Sequence, residues 1–453
     1  VTEPAAVSSA DLQQANGHSV WPAPLATGPL SARVAVPGSK SLTARYLVLG
    51  SLAQGQSHLT GVPCSRDTSL MINALSSLGA CLDSGSGSLD LDLCPIPRLK
   101  SQPQERHAPL GLDVGLAGTV MRFIPPVAAS LCPTQVHFDG DPAARARPMA
   151  PLLDALERLG ANVIYHQHHG HLPFTIKGPL HGSQVSLDSH ASSQFASALL
   201  LVAPALPSGL ELELNPPALP SRPHLEMSIQ ALTDFGARIQ TISEHHWMVQ
   251  PGGLTGQKRA IEPDLSNAAP FLAAALVAGG QVTISHWPNR TTQPGMLLVD
   301  YLQQMGATAN YNPQTEELTV TGSGQIRAVD LDLSPAGELT PTLAALAALA
   351  DGPSRLTGIG HLEGHETNRL AALVNEINRL GGQARQIPDG LEITPRPLRA
   401  TQLATYGDHR MATFGAIIGL KVPGVGVENI STTAKTLPGF ADLWLDMLAG
   451  IDA

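Results

Sequence analysis

The chain has 453 residues, enough for two or three domains that each bury a core, and its 43% apolar and 14% charged content excludes an intrinsically disordered protein. A net charge of −10 excludes recognition of nucleic acid or an anionic membrane through a general positive field, so any local gathering of Lys and Arg is informative. Cys64, Cys81, Cys94 and Cys132 show no C-x-x-C spacing, which points to free thiols in a reducing, cytoplasmic setting. No apolar run reaches the roughly 18 residues of a membrane span, and the first residues hold no signal-peptide core; residues 1 to 20 read as a polar, disordered tail.

The first informative stretch is Arg33 to Leu49. A strand-like Arg33-Val34-Ala35-Val36 breaks at Pro37-Gly38, and Ser39-Lys40-Ser41 then opens a helix through Tyr46-Leu47-Val48-Leu49. Free N–H groups and the dipole at such a helix start attract anions, and Lys40, Ser41 and Arg45 add donors suited to phosphate or carboxylate. It is not a Walker A loop, because Arg33 stands where that motif has its first glycine. By itself the stretch fits either an anion site or a turn with a charged rim.

The same pattern recurs six times: a small-residue turn, an Ala/Leu-rich helix, a break, a short strand, then an amphipathic helix. The apolar helices begin near Ser41, Thr119, Ser193, Asn267, Thr340 and Arg410. The strands read His58-Leu59-Thr60, Val136-His137-Phe138, Leu210-Glu211-Leu212, Val282-Thr283-Ile284, Ser354-Arg355-Leu356 and Val425-Gly426-Val427. The amphipathic helices stop at Gly79, Gly160, Gly236, Gly306, Gly381 and Gly450, where glycine supplies the left-handed residue past a helix end. No such unit buries two apolar helices alone, so the units share cores. Helices apolar all round, such as Phe271 to Ala278 and Leu343 to Ala350, belong inside, with sheets and amphipathic helices around them. Six units divide naturally into two globules of three, with a change of character between Pro251 and Asp264.

Several helix starts carry more polar groups than a turn requires. Gly115-Leu116-Ala117-Gly118-Thr119 precedes Arg122, and the glycines let a ligand approach the backbone. Asp139-Gly140-Asp141-Pro142 leads to Arg145 and Arg147, for which a solvated loop is the plain alternative. Ser189 to Gln194 opens an apolar helix with five polar residues in six, where one capping serine suffices; Ser221-Arg222-Pro223-His224 is a weaker case. In the second half, Glu338 precedes a wholly apolar helix, and His361 to Arg369 reads His-Leu-Glu-Gly-His-Glu-Thr-Asn-Arg. That order is neither H-E-x-x-H nor H-x-x-E-H, so no metal is expected there, nor in the histidine-rich Tyr165 to His171, which reads as a solvated hairpin turn. Asp408-His409-Arg410 and Lys435-Thr436 each place a cation at a turn or helix start.

Together these motifs resemble the 5-enolpyruvylshikimate-3-phosphate synthase family of enolpyruvyl transferases. The likeness runs from about Leu30 to the C-terminus and rests on Pro37-Gly38-Ser39-Lys40-Ser41, Ala117-Gly118-Thr119 with Met121-Arg122, Gly140-Asp141-Pro142 with Arg147-Pro148, Ser192-Ser193-Gln194-Phe195, Glu366-Thr367 with Arg369-Leu370, Asp408-His409-Arg410-Met411 and Lys435-Thr436. The resemblance implies an α/β fold, a two-domain inverted α/β barrel of six β-α-β-α-β-β-like units. Residues 38–261 would form one domain, and residues 21–37 with 262–453 the other. It implies transfer of the enolpyruvyl group of phosphoenolpyruvate to the 5-hydroxyl of shikimate 3-phosphate with release of phosphate, no cofactor or metal, small-molecule partners only, and a cytoplasmic monomer.

By resemblance Lys40, Gly118, Thr119, Arg147, Gln194, Arg369, Arg410 and Lys435 meet phosphoenolpyruvate. Lys40, Ser41, Arg45, Ser192, Ser193, Gln194, Ser221, Glu338, His361 and His365 meet shikimate 3-phosphate. Lys40 also serves the chemistry, Glu366 matches the proton donor, Glu338 stands where the base is usually aspartate, and Arg122 and His409 support the site. Other departures are His361 and His365, which replace a common asparagine and lysine, and Leu116 in place of asparagine. Two other readings stand beside this one. A sister enzyme loads enolpyruvate onto UDP-N-acetylglucosamine and commonly has a cysteine five residues before its Arg-Pro motif, where this chain has Pro142. A silent anion-binding scaffold is the other, against which the retained Lys40, Glu366 and Lys435 argue.

Overall fold

The computed structural model describes residues 19–83, 90–97, 109–131, 134–188, 192–215, 222–364 and 366–451. Ser189, Ser221, His365 and Cys132 therefore lie outside the described residues, as do residues 1–18. The expected tail ends too late: Val20 already lies in a strand, Val20–Pro22, that pairs with Gly426–Glu428.

Among the described residues, six helices buried almost throughout alternate along the chain with six that keep an exposed face, besides one short helix at Pro142–Arg145. In order they are α1 (Lys40–Leu52), α2 (Arg66–Ser77), α3 (Gly118–Leu131), α4 (Ala150–Arg158), α5 (Ser193–Val202), α6 (Arg222–Asp234), α7 (Leu265–Ala278), α8 (Leu298–Gln304), α9 (Thr340–Ala348), α10 (Arg369–Arg379), α11 (His409–Gly419) and α12 (Phe440–Ala449). The odd-numbered helices start within two residues of the positions expected from the repeat. They are buried almost throughout: every residue of α9 and of α11 is buried. The physical reason is the absence of a polar face, which leaves no side to turn toward water. Gly79, Gly160, Gly236, Gly306, Gly381 and Gly450 all take positive φ after their helices, as a left-handed helix end requires.

Among the described residues the strands form six sheets, five of four strands and one of three. Each sheet contains one parallel pair, and the remaining steps are antiparallel. In one, Leu110–Asp113 runs parallel to Val136–Asp139, which pairs with Phe174–Lys177, and that strand pairs with Asn162–Tyr165. Three strands close sheets far away in sequence. Lys258–Ala260 joins Ser57–Thr60, Leu30–Val34 joins Gly280–Ile284, and Val20–Pro22 joins the sixth sheet. The histidine-rich segment is indeed a turn between antiparallel strands, with His166 to His169 exposed.

The buried apolar side chains gather into two clusters. One draws on Leu42 to Ile261; the other combines Ala23 to Val36 with Leu265 to Met447. The chain passes between them twice, side by side. Ser39 N–H donates to Glu262 O at 2.7 Å, and Asp264 N–H donates to Pro37 O at 2.9 Å. A Cβ on Gly38 would stand 2.2 Å from Gly61 O, so only glycine fits this crossing.

In the second cluster Phe271 of α7 is fully buried against Phe440 and Trp444, with ring centroids 5.6 Å from each. Phe271→Ala should cost about 3–5 kcal/mol, the usual range for deleting a buried ring. A matching fall in the urea midpoint, with the variant still folded in buffer, is the expected result.

Candidate active site

The apolar helices bring their N-termini to one cleft of about 510 Å³ between the two clusters. Its lining includes Lys40 and Ser41 of α1, Gly118 and Thr119 of α3, Ser193 and Gln194 of α5, Ser266 of α7, Glu338 before α9, and His409 and Arg410 of α11. Five of the six buried helices therefore contribute their first turn, and the sixth, α9, the short turn just before it. Unpaired N–H groups and aligned dipoles make each such end favourable to anions.

On the α1 side, the backbone N–H of Lys40 donates to Asp264 Oδ2 at 3.2 Å and that of Leu42 to Ser39 Oγ at 3.5 Å. Those two N–H groups are occupied by side-chain oxygens. Lys40 Nζ pairs with Asp67 Oδ2 at 3.0 Å, and Asp67 is buried. Arg45, which the resemblance places against shikimate 3-phosphate, is 1% exposed in this structure. Its guanidinium donates to Ser41 O, Ser228 Oγ and His224 O, each at 2.8 Å, and faces the Phe123 ring. It holds the cleft floor through Ser41 and His224, both of which line the cavity.

Two guanidiniums stand side by side at the start of α3. Arg122 is buried, donating to Gln194 Oε1 at 3.2 Å and Pro148 O at 3.3 Å, and Arg147 donates to Leu116 O at 3.3 Å. The Nε of each has no hydrogen-bond partner. A Cβ at Gly118 would lie 3.1 Å from both, so glycine lets the two cations close on the backbone. Burial and the neighbouring Arg147 push Arg122 well below its ordinary value. An arginine does not release its proton under such pressure, so the pair stays charged, and two adjacent cations favour an incoming anion.

Across the cleft the cations are matched with carboxylates. Asp408, fully buried, accepts from Arg369 Nε at 2.7 Å and Nη2 at 3.2 Å, and caps α11 through the Arg410 N–H at 2.9 Å. Glu366 meets Lys435 Nζ at 2.5 Å and His409 Nδ1 at 3.1 Å. Lys435 Nζ also reaches Leu116 O at 3.3 Å, so the two sides of the cleft touch. The Arg410 guanidinium donates to Ser266 O, and Ser266 Oγ donates to Glu338 Oε1 at 3.4 Å.

The two candidate carboxyls are pushed apart. Burial raises Glu338, opposed by Arg410 and the Ser266 hydroxyl. Burial acts on Glu366 too, but His409, Lys435 and Arg369 together hold it well below the usual carboxylate range. Burial pushes His409 itself down, and the charge and hydrogen bond of Glu366 oppose that shift. Lys40, Ser41, Gly118, Thr119, Arg122, Arg147, Ser192, Ser193, Gln194, Glu338, His361, Glu366, Arg369, His409 and Arg410 thus line one cavity, with Lys435 behind Glu366; Ser221 and His365 lie outside the described residues. His361 packs over Gly337, where a Cβ would meet its ring at 2.8 Å.

Sequence reasoning gave no role to Asp67, Gln293 or His224, which the structure brings to this cleft. Asp67 reads as an ordinary acid in a helix's first turn after its cap Ser65, and Gln293 sits in a loop with no pattern around it.

A cleft ringed by helix N-termini and buried arginines defines a two-sided enzyme site for small polyanions. The model of the family described as EPSP synthase (3-phosphoshikimate 1-carboxyvinyltransferase) matches residues 25–444, and the chain belongs to that family. A 3-phosphoshikimate 1-carboxyvinyltransferase from Kocuria rhizophila is 51% identical over 437 residues, covering 95% of this chain and 96% of the relative. One from Bifidobacterium longum is 48% identical over 442 residues, covering 95% and 98%. Among solved structures, an EPSP synthase from Acinetobacter baumannii superposes with a TM-score of 0.76 at 22% identity, over 94% of this chain and 98% of its own. The enolpyruvyl transferase NikO from Streptomyces tendae follows at 0.70 and 17%, over 93% and 96%. These structural likenesses agree with the two-domain inverted α/β fold that the family resemblance implies.

Because the folded pKa of Glu366 lies below its unfolded value, its pairing adds stability above about pH 4.3 that disappears as pH falls through the folded value. The stability advantage of the parent over Glu366→Gln should be full near neutral pH and shrink below about pH 4. Urea midpoints across that range check it. A difference that does not change with pH contradicts an ionised Glu366.

Proposed function

We propose that this chain transfers the enolpyruvyl group of phosphoenolpyruvate to the 5-hydroxyl of shikimate 3-phosphate, with the cleft residues in the roles set out below. The observation that carries this reading is the gathering of four arginines, Arg122, Arg147, Arg369 and Arg410, with Lys40 in the lining of one cavity, and of Lys435 behind Glu366. Both substrates are polyanions, and preorganised cations in such a cavity act far more strongly than in water.

In this reading phosphoenolpyruvate lies among Lys40, Gly118, Thr119, Arg147, Gln194, Arg369, Arg410 and Lys435. Shikimate 3-phosphate lies against Ser41, Ser192, Ser193, Gln194 and His361, with Arg45 behind Ser41. A proton goes to the methylene carbon of phosphoenolpyruvate while the 5-hydroxyl oxygen attacks the adjacent carbon and yields its own proton. The tetrahedral product then loses a methyl proton and the phosphate together, restoring the double bond. Glu366 as donor must first gain a proton. An arriving anion competes for Lys435 and adds negative charge beside the carboxylate, and both effects favour the protonated form. Glu338, with Ser266 and Arg410 beside it, receives the hydroxyl proton.

The domain division at 37/38 and 261/262, a monomeric state and a cytoplasmic location belong to the same proposal. Among the described residues no helix is long and apolar enough to cross a membrane.

Phosphate release measured with shikimate 3-phosphate and with UDP-N-acetylglucosamine as acceptor tests the reading. Turnover with the first only is expected; turnover with the second only overturns it. Arg147→Ala and Arg410→Ala should each lower kcat/KM by roughly 10²- to 10⁴-fold, because an anion left without its buried cation costs about 3–5 kcal/mol. Glu366→Gln should fold and lose turnover. Parent-like rates in that variant would place the proton donor elsewhere.

A further inference from the structure

We infer that Glu376 is a positioning residue for the Arg369 side of the cleft, an inference that rests on the reading of the cleft as the phosphoenolpyruvate site. Helix α10 carries both residues, and seven positions are two turns, so Arg369 and Glu376 share one helix face. Glu376 is fully buried. It is far along the helix from the cleft and is absent from the cavity lining.

A buried carboxylate needs donors for its lone pairs, and this one has four contacts. Oε1 accepts from the Tyr406 hydroxyl at 2.7 Å and Arg379 Nη1 at 3.0 Å. Oε2 accepts from the same Arg379 nitrogen at 2.8 Å and from the Ala404 N–H at 3.2 Å. Arg379 Nη2 in turn donates to Gln402 O at 2.9 Å. Glu376 and Arg379 together therefore grip the segment from Gln402 to Tyr406.

That segment runs directly into the site. The Asp408 N–H donates to Thr405 O at 2.9 Å, and the Asp408 carboxylate holds Arg369 and caps the helix that bears His409 and Arg410. The contacts form a closed circuit: Glu376 to the turn, the turn to Asp408, and Asp408 back to Arg369 on the same helix as Glu376. Tyr406 is the weak link. Its φ is +55°, a conformation few side chains adopt, and its residue is 43% exposed, so the bond to Glu376 and not burial of the ring sets its place.

Tyr406→Phe keeps the ring and removes the hydroxyl's hydrogen bonds to Glu376 and Asn375. Its KM for phosphoenolpyruvate should rise about fivefold, the usual effect of one hydrogen bond, with KM for shikimate 3-phosphate within about twofold and a melting temperature lowered by no more than a few degrees. Glu376→Ala should raise the KM for phosphoenolpyruvate further and lower the melting temperature as well. Glu376→Gln, which keeps an accepting oxygen, should recover part of both. An unchanged KM for phosphoenolpyruvate in Tyr406→Phe, or equal rises for both substrates in Glu376→Ala, makes the residue merely structural and overturns the inference. Hydrogen exchange separates this from the substrate assignment. If the parent releases no phosphate from these two substrates, the functional reading fails, while faster exchange at the Asp408 and Arg410 amides of Tyr406→Phe still upholds the positioning role. Unchanged exchange there overturns it.

Discussion

Six helices without a polar face impose the main constraint on this molecule. Such a helix cannot lie at the surface, so the sheets and the more polar helices must surround it, and only its ends remain available to solvent. In each case the N-terminal end opens on the central cleft. The polar residues crowded into those first turns, Ser39 to Ser41, Ser192 to Gln194 and Asp408 to Arg410, then follow from position. They are the one part of each buried helix that a ligand can touch.

The charge pattern across the cleft is uneven, and the unevenness is informative. On one side Arg369 has Asp408, and Lys435 has Glu366. On the other, Arg122 and Arg147 have carbonyl and amide oxygens and each keeps an unpartnered Nε. Buried charge without a counter-ion is costly, and the cost falls when an anion enters. For Arg147 the nearest opposing charges, Glu366, Asp67 and Asp408, act from a distance without a direct bond. Glu366 connects the two sides, because the ammonium that holds its proton away also touches Leu116 across the cleft.

The repeat was plainly legible. Helix starts, strands and the six terminal glycines agree with the structure within a few residues, because each depends on local chemistry: apolar runs, glycine's left-handed freedom, a capping serine or aspartate. Most of the site was legible too, since the motif residues stand at those same helix starts. The surroundings of Arg45 were not legible. A cation one turn into a helix looks like a ligand contact in sequence, and whether it faces the cleft or the floor depends on which element packs above it.

What the sequence alone determined is therefore the local: six units, their apolar helices, and the residue types gathered at each helix start. The tertiary structure decided the pairings that join distant units. Lys40 meets Asp67, Asp264 reaches the first N–H of α1, Lys435 reaches Leu116, and Glu376 holds the turn that leads to Asp408. It also decided that the two carboxyls are shifted in opposite directions, since Glu338 and Glu366 are the same side chain before folding. Their difference comes from burial and neighbouring charge, and neither exists until residues far apart in the chain are packed together.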